Sequence, residues 1–243
     1  MAFLATVAAA NAQCSAPCIA AVTNTFGDGA TTFTTAPVNT TGATFIAFGL
    51  SYLTTNEPVI SDNEGNPAPT CLAAQTVAAG GSNRLCYLLA PNTGAVHTFT
   101  VSGTGNIFAT IAVAAFSGIS SYRGITNGKA VAGPVSSFQP GSVTPQSAGD
   151  LVITTISPEF AGSTVLSIGS GFSITSQMTS RGGADFGGSL AYLVSPAATP
   201  VNPVWTDSQS EGAGLTIAVF SQSAGSGPPA ATVSLTSGGP AVL

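Results

Sequence analysis

Apolar residues recur along the chain in short runs rich in Thr, Val, Ile and Phe, each bounded by Gly, Pro, Asn or Ser. Almost no segment carries the 3.6-residue period of an amphipathic helix, so the pattern predicts strands and turns. The clearest predicted strands are 44–52, 70–77, 85–89, 96–102, 107–116, 151–156, 172–178, 189–194, 203–206 and 215–221. Turn-forming clusters at 62–66, 80–83, 91–94, 103–106 and Gly182-Gly183 separate them at intervals that suit a β-sandwich. Residues 96–102 alternate, with His97, Phe99 and Val101 on one face and Val96, Thr98 and Thr100 on the other. Residues 107–116 are apolar on both faces, as a central strand covered on both sides would be.

Two stretches depart from this rhythm. Residues 118–150 hold Gly118, Gly124, Gly128, Gly133, Pro134, Pro140, Gly141 and Pro145, and read as a long connection between two halves of one sandwich, carrying short edge strands. After Gln222 the run SAGSGPPA (223–230) reads as a linker, followed by one further strand candidate at 231–236. At the other end, Ala10-Asn11-Ala12 looks like a signal-peptidase site. No Lys or Arg precedes Arg84, however, and the apolar run is short, so residues 2–9 read as a strand or arm. The expected organisation is an N-terminal arm at 1–17, one sandwich domain at 18–222, and a linker with a C-terminal arm at 223–243. The fold class expected is all-β: a two-sheet antiparallel sandwich, jelly-roll-like, with extended arms.

Composition narrows the function. Of 243 residues, 44% are hydrophobic and only 5% charged, against roughly 25% charged in an average soluble domain. The longest apolar run, 107–116, is too short to span a bilayer, which takes about 20 residues, so no membrane span is expected. Net charge is −5 and the only basic side chains are Arg84, Arg123, Lys129 and Arg181. Four cations cannot build a phosphate-binding face, which excludes nucleic acid as a partner. Sparse charge also weakens the repulsion that keeps proteins apart, which favours association.

Candidate chemistry is thin. The one histidine, His97, must serve any Ser-His-Asp or Cys-His arrangement, yet it sits mid-strand with no nucleophile elbow nearby and reads as a packed or edge residue. Most of the nine acidic residues fall in predicted turns, and no two share a strand face at i, i+2, which argues against a glycosidase pair. The cluster Asp62-Asn63-Glu64-Gly65-Asn66 has a calcium-loop look, but its Gly falls one place early for the EF-hand pattern, and a solvated turn is the plain alternative. Trp205 and the four tyrosines are candidates for stacking on sugars; Tyr122, beside Arg123 in the long connection, is the best exposed, and this pair is the candidate for surface recognition.

The four cysteines lack the spacing of common zinc sites. Cys71 and Cys86 lie on consecutive predicted strands and can face each other; Cys14 and Cys18 flank Ser-Ala-Pro and can close a small loop. Two such bonds imply a life outside a reducing cytosol, with buried free thiols as the other reading.

Several stretches, in order, resemble a known module: Ser61-Asp62-Asn63-Glu64-Gly65-Asn66; Gly94-Ala95-Val96-His97-Thr98-Phe99-Thr100; Ile111-Ala112-Val113-Ala114-Ala115-Phe116-Ser117-Gly118; Gln139-Pro140-Gly141-Ser142-Val143-Thr144-Pro145; Ala148-Gly149-Asp150-Leu151-Val152; and Gly188-Ser189-Leu190-Ala191-Tyr192-Leu193. Together, over residues 40–222, they resemble a jelly-roll-like β-sandwich module of tailed-bacteriophage structural proteins, also found in secreted bacterial surface proteins. The resemblance implies a fold and a place on a particle surface, with no catalytic residues and no cofactor. It also implies particle symmetry, from which a homo-oligomer, a trimer, is expected. The expected function is therefore non-enzymatic: a virion surface protein, capsid decoration or tail-associated, whose partners are other virion proteins. The alternative is a secreted carbohydrate-binding or adhesion module, with glycan contact.

Overall fold

The computed structural model describes residues 17–53, 57–77, 81–105, 107–159, 162–179 and 187–224. Strands β1 to β15 are numbered along the chain. One six-stranded antiparallel sheet runs in the order β1 (Cys18–Asp28), β9 (Phe108–Ser117), β3 (Phe45–Leu53), β7 (Gly81–Leu89) and β5 (Thr70–Cys71), with β6 (Gln75–Thr76) also on β7. A second runs β10 (Ile119–Phe138), β15 (Trp205–Gln222), β11 (Leu151–Pro158), β14 (Gly188–Val194) and β13 (Ser173–Met178), with β12 (Val165–Ile168) also on β15. The two face each other as an all-β sandwich, as the alternation of apolar and turn-forming residues predicts.

A third, three-stranded sheet, β2 (Thr32–Thr34), β8 (Phe99–Ser102) and β4 (Val59–Asp62), adds a layer that the two-sheet expectation lacked. It covers the outer face of the first sheet, burying Phe48, Leu50, Ile111 and Val113 against Phe99, Val101 and Ile60. The opposite faces of β3 and β9 supply Phe45, Ala47, Ala112, Ala114 and Phe116 to the interface with the second sheet. This double cover is why 107–116 is apolar on both faces. A third cluster, with Trp205, Phe138, Val152 and Ile217, fills the far side of the second sheet.

The sheets come closest where side chains are absent. A Cβ on Gly49 would lie 2.9 Å from Thr155 Cγ2, and one on Gly214 would lie 2.5 Å from the Gln75 carbonyl oxygen. At the other end of the interface an aromatic group takes up the space: the Phe45 and Phe220 rings are 4.4 Å apart, and Tyr87 meets Phe220 edge-on at 5.1 Å. Burying each such ring contributes roughly 1.5–3 kcal/mol.

The largest correction concerns residues 118–150. Their first part is not a loose connection but the 20-residue strand β10, outermost in its sheet. The residues that signal loops are absorbed as irregularities. Gly124, with φ +70°, sits in the bulge between Tyr122 and Ile125, and Pro134 in the one between Val131 and Val135. A sheet edge tolerates both, because a missing N–H there breaks no ladder bond. Similarly, the predicted strand at 203–206 contributes only its last two residues, and these join 215–221 in one 18-residue strand, β15. Gly81, Ser82 and Asn83, expected in a turn, open β7. The 70–77 run breaks into β5 and β6, and the 96–102 run pairs continuously only from Phe99. Strands β1, β2, β4 and β12 were not anticipated. The expected arms lie outside the described residues, apart from Pro17, Ser223 and Ala224. Among the described residues no helix is long and apolar enough to cross a membrane.

Candidate functional site

His97 lies on the face expected for it and has no exposure. An isolated bridge to Val38 holds its backbone, and its ring packs tilted against Phe99 with centroids 4.3 Å apart. Nδ1 is 2.8 Å from Thr40 Oγ1, and Nε2 is 3.4 Å from Asp62 Oδ2. Hydroxyl, imidazole and carboxylate in this order are the parts of a nucleophilic triad. Here, however, Thr40 is fully buried and the Asp62 side chain is 3% exposed, which leaves the hydroxyl closed to substrate. Asp62 is engaged within its own turn: Oδ1 accepts from the Glu64 and Asn66 amides, and Oδ2 from Asn66 Nδ2 at 2.9 Å. The 62–66 cluster is thus an Asp-stabilised turn, and the His97 ring packs between it and the Thr40 loop. Thr40 carried no signal in the sequence, because it meets His97 only through the fold.

The acidic residues correct the sequence reading more sharply. Asp207 and Glu211, both on β15, are 4% and 0% exposed. Ser163 Oγ sits between them, 2.6 Å from Asp207 Oδ1 and also in contact with Glu211 Oε1, so its one proton serves one carboxylate at a time. Two carboxylates meeting at one hydroxyl form an acid pair that no i, i+2 pattern could reveal, since Ser163 arrives from the segment before β12. Ser208 Oγ and the Gln209 amide also donate to Asp207 Oδ1. The pair is buried and ties that segment to β15.

Tyr122 and Arg123, the candidates for surface recognition, lie on β10 beside the Gly124 bulge. Tyr122 packs 5.5 Å from both Tyr87 and Phe220, and burial raises the pKa of Tyr122 and of Tyr87. Arg123 reaches Asp150, a carboxylate with no exposure, through Nη2 at 2.7 Å and Nε at 3.3 Å. The Gln146 and Ser147 amides complete the carboxylate's partners. Both side chains are half-buried and held by the fold. Trp205, the other candidate for stacking on sugar, is fully buried, and its Nε1 donates to Thr154 Oγ1 at 3.3 Å.

Cys71 and Cys86 stand opposite each other in the β5–β7 ladder and are disulfide-bonded, with Cα atoms 3.9 Å apart. Cys14, and with it the expected Cys14–Cys18 bond, lies outside the described residues. Beside the bond is a groove of about 290 Å³, with apolar walls from Leu50, Val59, Ile60, Pro69 and Cys71 and an Arg84–Glu57 ion pair at its side.

The two ends of the described chain converge. Cys18 pairs with Ser117, Gln222 pairs with Ile119, and the Ser223 amide donates to the Gly118 carbonyl at 2.8 Å. Both terminal segments therefore leave from one pole of the sandwich, on either side of Gly118. Along β10, from this pole to Phe138, the exposed side chains are Ser, Thr, Asn, Ala, Pro and Val, with Lys129 the one exposed charge. Compared with known protein families, with curated proteins and with solved structures, the chain matches none.

Proposed function

We propose that the protein is a non-enzymatic structural module of a bacteriophage particle surface, in capsid decoration or in the tail, acting by protein–protein contact. The observation that carries this reading is where the ionic groups go. Asp150 is paired with Arg123, Asp207 and Glu211 are turned inward on Ser163, and Asp62 closes its own turn. What faces solvent is mostly hydroxyl, amide and small apolar surface, which lacks the charge repulsion that keeps freely diffusing proteins apart. The exit of both chain ends at the Gly118 pole suits a module tethered at one end and presented from the other. Residues 231–236, following the 223–230 linker, supply a segment able to add to a sheet edge of a neighbouring copy. The assembly is a symmetric homo-oligomer, a trimer by analogy with the particle symmetry of the resembled proteins.

A secreted carbohydrate-binding or adhesion module is the second reading, and the Cys71–Cys86 bond favours it as much as a particle surface, since both lie in oxidising surroundings. Probing the purified chain against arrayed glycans and against purified phage particles separates the two. Binding to particles without glycan binding supports the first, and the reverse outcome supports the second.

A further inference from the structure

We propose that the groove beside the Cys71–Cys86 bond binds a small apolar carboxylic acid, whose carboxylate takes the place of Glu57 on Arg84. The lining includes Leu50 and Ile60, both members of the cluster packed between the first sheet and the three-stranded sheet. The groove is therefore where that layer opens to solvent. Arg84 stands opposite Leu50 in the β3–β7 ladder. Alternation along β7 puts it on the face of Cys86 and Leu88, which belong to the same cluster, and away from Leu85 and Tyr87, which face the second sheet. A guanidinium thus rises among residues that otherwise build core. At the rim, Val59 on β4 is 58% exposed, one of three large apolar side chains more than half exposed among the described residues.

Charge and size select the ligand. Arg84 and Glu57 are the charged residues of the lining, and the rest of it is apolar. Of this pair the cation is the withdrawn partner: the Arg84 side chain is 24% exposed and that of Glu57 59%. Arg84 Nε donates to the Leu72 carbonyl at 2.9 Å, which fixes the guanidinium, while Nη1 faces Glu57 Oε1. A guanidinium held by backbone beside hydrocarbon is a receptor for a carboxylate, and Glu57 already shows one seated on it. Glu57 is also easily displaced, because an ion pair with an exposed partner is worth at most about five-fold in an equilibrium. An incoming acid makes the same ion pair and in addition buries its chain against Leu50, Val59, Ile60 and Pro69. The volume of about 290 Å³ holds roughly ten non-hydrogen atoms at about 30 Å³ each, the size of a medium-chain acid.

Octanoate, of matching size, is the probe, with octan-1-ol as its uncharged counterpart. Titrated into the full chain and followed by amide chemical shifts, octanoate is expected to move Val59, Ile60, Cys71 and Arg84 in a saturable way. Octan-1-ol is expected to bind about ten-fold more weakly or worse, because it cannot pair with Arg84. Arg84→Gln should weaken octanoate by a similar factor. Glu57→Gln removes the internal competitor and should tighten octanoate about two- to five-fold. Because Glu57 is exposed, this variant keeps the test decisive even if Arg84→Gln fails to fold. No saturable shift at these amides overturns the inference. So does octan-1-ol that binds as tightly as octanoate, or octanoate binding that Glu57→Gln leaves unchanged or weakens. None of these readouts involves assembly or particle binding, so this inference and the proposed function can fail separately.

Discussion

Arg123 Nη2 lies 2.7 Å from Asp150 Oδ1, and Asp150 has no exposure at all. A quarter-exposed guanidinium thus neutralises a fully buried carboxylate at the pole from which both chain ends leave. Replacing Arg123 with Ala strands that carboxylate, and the expected loss of stability is about 3 kcal/mol, the low end for a broken buried pair because water can partly replace the arginine. Denaturant unfolding of Arg123→Ala measures it. If Arg123 instead served recognition alone, the midpoint would not move.

The Cys71–Cys86 bond closes a short loop, with the cysteines 15 residues apart in sequence. Constraining such a loop in the unfolded chain is worth about 3 kcal/mol. The Cys71→Ala/Cys86→Ala double variant is expected to lose that much in denaturant unfolding, with residues 70–77 losing exchange protection first, since β5 and β6 contribute only two residues each to the sheet.

Gly214 occupies the tight approach between β15 and the β6–β7 edge. A methyl there would meet the Gln75 carbonyl oxygen at 2.5 Å and Asn83 Cβ at 2.9 Å. Because the first obstacle is backbone, the strands must separate, and Gly214→Ala is expected to cost about 1–3 kcal/mol. Gly65→Ala is the opposite case, a positive φ of +72° with no atom within 4 Å, so in thermal unfolding it reports backbone strain without a clash.

Tyr87 and Tyr122 have pKa values raised above the usual tyrosine value of 10.0, chiefly by burial; the neighbouring Tyr122 raises that of Tyr87 further, while a hydrogen bond with Thr126 opposes the shift of Tyr122. A raised folded-state pKa favours the protonated phenol in the native protein. The stability it contributes is complete below the unfolded value near 10 and is lost as pH climbs through the folded values. Unfolding free energy is therefore expected to fall above pH ~10. The fall should be shallower in Tyr122→Phe, and a fall of equal slope in that variant would argue against the assignment.

Much of this fold was legible from local pattern. The face shared by His97, Phe99 and Val101, the doubly buried β9 and the facing cysteines all follow from side-chain alternation along a strand. Strand β10 was hidden because Gly124, Gly133 and Pro134 signal loops when read singly, whereas a sheet edge absorbs each as a bulge. Strand β15 was split because Asp207, Glu211, Gly212 and Gly214 interrupt its apolar run, each for a tertiary reason: the acids meet Ser163, Gly212 makes room for the Glu159 carboxylate, and Gly214 clears the facing sheet. The polar constellations were invisible for the same cause. Thr40 and His97 are 57 positions apart, and Ser163 and Glu211 are 48. No window along the chain contains both partners of such a pair.

The claim that this protein works through neutral surfaces in an assembly is tested most directly by sedimentation of the purified chain at low and high salt, with and without residues 223–243, alongside binding to purified particles. The account predicts a symmetric oligomer that sediments alike at both salt concentrations, because apolar burial and hydrogen bonds rather than charge hold it together, and that dissociates when residues 223–243 are removed. A monodisperse monomer in both conditions that binds no particle would contradict it.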